Sequence, residues 1–278
     1  METSQLGQSE GPPYPSFKEL KYEDVRVRFS PATERLFWEL DGVFPTAISV
    51  MKDKRGAKDD LEPFFRSDTG TWHEISQLPL TEPKVSALEV SVHDVNELEY
   101  RWMRCHEDHD MPQDLYGQEY VTYGDLDDDI RPYAKEPKED GSWEEDSDTE
   151  FLIKCCGEDR PLGKRELELV VTASQSAGSE SFVTIRDFVS AVHPWVMSMR
   201  GDILRAKDLS YENAHIPAEE YEWMVKVKYH CVEPLEIWEK RDWVESHSPP
   251  GPRRHPLPPS LVAILEQRRV IREAGILL

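Results

Sequence analysis

Cys105-His106-Glu107-Asp108-His109-Asp110 sets several metal-ligating side chains side by side. A His-x-x-His pair beside a cysteine offers three ligands, Cys105, His106 and His109, and leaves open the fourth position that a catalytic zinc needs for water. The chemistry would be metal-assisted hydrolysis, with the neighbouring carboxylates as proton acceptors. No second Cys or His pair lies at a standard spacing, and His230-Cys231 joins the set only if the fold brings it near. The competing reading is a polar surface loop.

Asp125, Asp127 and Asp129 with Glu136 match positions 1, 3, 5 and 12 of an EF-hand calcium loop, which wraps a small hard cation in oxygens. The match fails where geometry is strictest. Ile130 stands where the sharp turn wants glycine, and Pro132 falls two residues later. A solvated acidic loop explains these residues as well.

Nucleophilic chemistry has a formal basis in Cys156 or Cys231 paired with His193, since Cys-His dyads form in space without a local signature. His193 precedes Pro194 on the apolar side of a helical pattern, so a hydrogen-bonded core histidine is the simpler expectation. The chain has no P-loop, no Gly-x-Gly-x-x-Gly and no Gly-x-Ser-x-Gly, and no cofactor is expected. Trp223, Trp238 and Trp243, among Glu222, Glu236, Glu239 and Asp242, offer either an aromatic platform or ordinary core packing.

One motif points to a protein partner. Arg253 is followed by Pro256 and Pro259, three and six positions on, the layout accepted by the aromatic groove of an SH3 domain. The simpler reading of the same residues is a stiff polyproline spacer, because 249–259 holds six prolines in eleven residues.

The elements that must position these groups fall on either side of an acidic stretch. His106 to Glu150 carries seventeen Asp or Glu against Arg131, Lys135 and Lys138, a net −14 out of −22 for the chain. Before it, period-two alternation predicts strands at Val25–Phe29, Phe37–Leu40, Ile48–Val50 and Leu88–Val92, with one more over Glu99–Met103. Within it, Tyr120–Tyr123 is a short strand candidate. After it, Leu167–Thr172 reads as a buried strand. Thr184 with Asp187 forms an Asp variant of the capping box. Ile185, Phe188, Val189, Val192 and Val196 then follow at helical spacing, and Pro194 is expected to end or kink that helix near His193. A second helical turn follows over Trp195–Ala206. Glu219–Val232 mixes alternation with a start that suits a helix. Ser260 caps a last helix, Leu261–Ala274.

Eight Trp, ten Tyr and nine Phe argue for a real core, although 32 % of residues are charged and only 38 % are hydrophobic. A pI near 4.8 opposes binding to nucleic acid or anionic lipid. No stretch approaches the eighteen apolar residues of a membrane span, and the polar N-terminus carries no secretory signal. The expectation is a soluble intracellular protein, cytoplasmic or nuclear. Its four cysteines, Cys105, Cys155, Cys156 and Cys231, are read as free thiols.

Two passages resemble a fungal family of uncharacterised proteins. Thr81-Glu82-Pro83-Lys84-Val85-Ser86-Ala87-Leu88-Glu89-Val90 is similar to its T-E-P-x-V-x-x-L-x-I strand. Phe182-Val183-Thr184-Ile185-Arg186-Asp187-Phe188-Val189-Ser190-Ala191-Val192-His193 is similar to its V-T-V-x-D-V-L-x-A-I-H strand-to-helix passage, and Trp38-Glu39-Leu40 corresponds to its tryptophan strand. Together they cover under a fifth of the chain. The 106–150 insertion and the Pro-rich C-terminus depart from the pattern. The resemblance implies a mixed α/β domain and brings no catalytic residues.

The sequence therefore predicts an α+β fold of short, mostly antiparallel strands with packed helices over 184–206 and 261–274. The organisation is a disordered tail (1–16), one domain (17–248) interrupted by a mobile acidic insertion (106–150), a Pro-rich linker (249–259) and a C-terminal helix (260–278). The expected function is a non-enzymatic protein-interaction module, its partner reached through the Pro-rich segment or the acidic insertion. The alternative is a metal-assisted hydrolase built on the His/carboxylate cluster.

Overall fold

The computed structural model describes residues 13–54, 60–109, 116–122, 125–126, 150–163, 167–174, 181–210, 216–227 and 234–248. Before the acidic stretch the order is α1 (Phe17–Tyr22), β1 (Arg28–Phe29), β2 (Leu36–Trp38), β3 (Ile48–Met51), β4 (Leu61–Pro63), β5 (Phe65–Arg66) and β6 (Thr71–Trp72). There follow β7 (Thr81–Glu82), β8 (Ala87–Val90), α2 (His93–Asn96) and α3 (Leu98–Cys105). Then come β9 (Glu119–Thr122), β10 (Glu150–Cys155), β11 (Glu158–Asp159) and β12 (Leu169–Thr172). The remainder is α4 (Ile185–Ser198), α5 (Arg200–Asp208), β13 (Trp223–Lys226), β14 (Glu236–Glu239) and α6 (Lys240–His247).

The architecture is α+β, with the named strands paired antiparallel in small sheets: β2-β3-β4, β11-β10-β9, β12-β8, β13-β14, β1-β7 and β5-β6. The pairing of β8 with β12 crosses the acidic stretch, with Leu88 opposite Val171 and Val90 opposite Leu169. A single cluster of buried side chains draws on both flanks of that stretch, including Phe29, Trp38, Val90, Phe188, Val192, Val225 and Ile237. Phe188 meets Phe29 and Trp38 edge-on, with ring centroids 5.6 and 6.1 Å away, so aromatic packing joins the two flanks.

α4 begins as its capping box requires. Asp187 N donates to Thr184 Oγ1 at 3.1 Å while Thr184 N donates to Asp187 Oδ2 at 2.9 Å. It does not end near His193. The helix runs on through Pro194 to Ser198, because Val192, His193 and Val196 are buried on both sides of the proline. Pro194 itself faces outward. The ring therefore meets solvent, and packing of the buried stripe outweighs the missing N–H. The next helix, α5, starts at Arg200 and reaches Asp208.

One further expectation changes. Glu99–Met103 is not a strand. It lies in α3, where Leu98, Glu99 and Trp102 bury one helical face while Tyr100 and Met103 stay exposed. Trp223–Lys226 is a strand whose first three residues are all buried, since it lies between β14 and a backbone bridge to Glu39. The C-terminal helix expected over 261–274 and the linker 249–259 lie outside the described residues. No described helix is long and apolar enough to cross a membrane.

Candidate metal centre

α3 delivers one half of the site. Its last turn ends at Cys105, where His106 N–H donates to Met103 O at 3.2 Å and His109 N–H donates to His106 O at 3.2 Å. These two tight turns bring the histidines together, edge to face with centroids 5.3 Å apart. His106 is only 9 % exposed and packs its ring on Trp102, 4.3 Å between centroids. Its Nδ1 lies 2.7 Å from Trp102 O. A carbonyl only accepts, so Nδ1 carries a proton and Nε2 is the nitrogen left to face an ion.

The β10–β11 hairpin delivers the other half. Cys155 pairs with Glu158, which leaves Cys156 and Gly157 as a two-residue turn. Their φ angles, 54° and 81°, are those of a type I′ turn, the one whose twist matches a right-handed strand pair. Gly157 suits its position. A cysteine in the left-handed region costs about 1–3 kcal/mol and persists only where its surroundings hold it. Cys156 N–H is held by Tyr116 O at 2.7 Å. Tyr116 also stacks flat on His109, with centroids 4.4 Å apart at 2°. Gln118 Nε2 donates to His109 O at 3.0 Å.

The two halves converge. His109 Nδ1 lies 3.4 Å from Cys155 Sγ and 3.2 Å from Cys156 Sγ, and the two sulfurs are 3.9 Å apart. One donor atom from each of His106, His109, Cys155 and Cys156 lies within 4.8 Å of the other three. This is a two-nitrogen, two-sulfur set with no carboxylate in it. Cys155 is fully buried, and that burial pushes its thiol above the ordinary value, with the neighbouring Cys156 thiol adding to the rise. An uncharged thiol is a poor nucleophile and a poor ligand, so Cys155 gains ligand character only where a cation displaces its proton.

A buried ion pair joins the hairpin to the helix. Arg160, just beyond β11, places Nη2 2.6 Å and Nε 2.9 Å from Glu99 Oε1 on α3. The side chains are 6 % and 2 % exposed. Arg160 also donates to Leu152 O at 3.3 Å and covers the Phe151 ring at 4.1 Å.

Of the residues singled out in the sequence, His106 and His109 belong to this cluster and Cys105 does not. Cys105 Sγ points the other way along α3 and lies 3.6 Å from Leu209 O, because consecutive helical residues project about 100° apart. Asp125 is engaged by the Thr122 hydroxyl, next to the buried Leu126. Asp127, Asp129 and Glu136 lie outside the described residues, as do Arg253, Pro256, Pro259, His230 and Cys231. Cys155 and Cys156 are the members of the cluster that the sequence does not place beside the histidines. Their signal was their adjacency at a strand end before Gly157, which reads as a hairpin only once Glu158 is known to pair back.

The Cys-His nucleophile pairing with His193 is overturned. Trp38 Nε1 donates to His193 Nδ1 at 2.9 Å, and His193 Nε2 lies 3.2 Å from Gly42 O, so the ring is a neutral core strut. Burial holds its pKa below the ordinary histidine value. Trp223 and Trp243 do not join the half-buried Trp238 in a platform either. Trp223 and Trp243 are buried, one donating to Ala218 O at 2.8 Å and the other meeting Phe37 edge-on at 5.3 Å. Comparison with protein-family models, with curated proteins and with solved structures found no match.

Proposed function

We propose that this chain is a non-enzymatic protein-interaction module in which an α+β core holds an acidic segment by both of its ends. One observation carries the reading. The stretch leaves the core at His106 and His109 and returns at Cys155 and Cys156, and these four side chains meet within 4.8 Å. The hairpin by which the chain returns is docked on α3 by Arg160 and Glu99.

The donor set favours this role over metal-assisted hydrolysis. Two imidazoles and two thiols fill the four positions of a tetrahedral ion, the closed arrangement of structural sites, whereas hydrolytic centres keep one position for water. The partner is a protein surface rich in Lys and Arg, drawn by the −14 concentrated in residues 106–150. Nucleic acid is disfavoured by the same charge. A cytoplasmic or nuclear setting agrees with cysteines that form no disulfide among the described residues.

Affinity capture from lysate with the full chain tests the reading. A variant lacking residues 127–149 is expected to lose salt-sensitive partners, while a Pro256→Ala, Pro259→Ala variant reports any contribution of the Pro-rich segment. An identical partner set for the full chain and both variants overturns the proposal.

A further inference from the structure

We infer that His106 Nε2, His109 Nδ1, Cys155 Sγ and Cys156 Sγ form a tetrahedral site for one zinc ion. The inference rests on the structural reading of the cluster given above and adds the metal, the ligand atoms and the protonation state.

The three edges among His109, Cys155 and Cys156 fit a tetrahedron around an ion, and the His106 donor lies within 4.8 Å of each of them. With zinc about 2.3 Å from sulfur and about 2.0–2.1 Å from nitrogen, tetrahedral edges are about 3.8 Å between sulfurs and about 3.5 Å from sulfur to nitrogen. The corresponding separations are 3.9 Å between the sulfurs, and 3.4 and 3.2 Å from His109 Nδ1 to each. The fourth corner belongs to His106. Its Nδ1–H is committed to Trp102 O, which orients the ring and leaves Nε2 as the donor, the outer-shell contact that zinc-bound histidines use. His109 presents the opposite nitrogen and is steadied from behind by Tyr116.

Donor softness selects the metal. Two thiolates and two imidazoles suit zinc, while calcium, magnesium and manganese require oxygen, which the set lacks. Binding removes one proton from each thiol, and two thiolates then balance the 2+ charge. A neutral centre suits a site whose Cys155 is fully buried and whose His106 is nearly so. Adjacent strand residues project to opposite faces, so neighbouring ligands reach one ion only with a change of backbone direction between them. The left-handed backbone of Cys156, which the type I′ turn already requires, supplies this.

The test uses the full chain purified without chelator. Elemental analysis is expected to find about one equivalent of zinc, because structural sites hold it tightly. Cobalt exchanged into the chelated protein should give the intense visible bands of a tetrahedral ion, together with thiolate-to-cobalt charge transfer. Zinc should also protect Cys155 and Cys156, but not the exposed Cys105, from alkylation. Cys105→Ser is expected to keep full zinc content. Cys155→Ser and His109→Asn should each weaken zinc binding at least 100-fold, beyond the effect usual for an outer-shell change. Less than about a tenth of an equivalent of zinc, with no tetrahedral cobalt spectrum in the unmodified chain, overturns the site whether or not the variants fold. Retention of zinc by a Cys155→Ser, Cys156→Ser double variant overturns the ligand assignment. A zinc-loaded protein that captures no partner would count against the interaction reading alone.

Discussion

Arg160 Nη2 stands 2.6 Å from Glu99 Oε1, and this buried pair is the bolt between the β10–β11 hairpin and α3. Glu99 sits one turn before Trp102, whose carbonyl orients His106, and Arg160 follows the turn that carries Cys155 and Cys156. The ion pair thus sets the spacing of the two donor halves without touching a donor.

Removing one partner leaves the other charged and buried. Glu99→Gln or Arg160→Met is expected to cost about 3–5 kcal/mol in denaturant unfolding, the range for broken buried pairs. The Glu99→Gln, Arg160→Met double variant should cost less than the sum of the two. Additive losses would show that the pair is not coupled. Arg160→Lys should restore the charge but not the two-nitrogen contact, and zinc affinity should fall about 10-fold while Cys105→Ser leaves it unchanged.

His193 makes stability depend on pH. Its folded pKa lies below the ordinary value because burial disfavours the cation. In the unfolded chain the ring takes up a proton near pH 6.5, while the folded ring resists until lower pH. Between those limits the unfolded state binds more protons, so stability is lost as pH falls through that window and is fully present above it. His193→Gln is expected to lose about 1–3 kcal/mol at pH 7.5, where Trp38 N–H loses its designed acceptor, and to show a shallower decline from pH 7 to pH 5. Parallel decline in both proteins would remove His193 from the account.

Gly42 supplies the carbonyl that faces His193 Nε2 and adopts φ +134°, where an added Cβ would lie 2.8 Å from Ala47 Cβ. Gly42→Ala is expected to cost about 1–3 kcal/mol from backbone strain, with a further loss if the turn shifts away from His193. A melting temperature within a degree of the parent would show that the turn relaxes freely. Gly157→Ala, at φ +81° with nothing within 4 Å, should cost less because only the backbone term applies.

Metal removal should act locally. With zinc at a hundredfold over its dissociation constant the closed clasp gains about 2.7 kcal/mol over its locally opened form, so a chelator should open the clasp while the melting temperature of the core is unchanged. Hydrogen exchange should speed up at the amides of His109 and Cys156, which close the turns around the donors, and leave Phe188–Val192 in α4 unchanged. Uniform acceleration across both regions would make the cluster part of the global core and not a separate clasp.

Local pattern alone determined much of the scaffold. The spacing of Ile185, Phe188, Val189, Val192 and Val196 placed a helix, Thr184 and Asp187 placed its start, and the Leu88 and Leu167 runs placed strands that pair across the acidic stretch. These signals are legible because a helix or strand face is written in residues a few positions apart. Pro194 does not end α4, since what a proline costs depends on whether its face meets solvent, and that is set by packing. The metal centre was half legible. His106 and His109 share a short turn, but the side on which each neighbour projects decided against Cys105. Cys155 and Cys156 entered the set because the Cys156-Gly157 turn and the Arg160–Glu99 pair bring a hairpin back onto α3 from 46 residues away. Trp38 and His193 are 155 residues apart and found each other in the same way. Side chains that meet only when separate elements dock leave no period in the chain, and here the tertiary contacts decided which cysteines face the histidines.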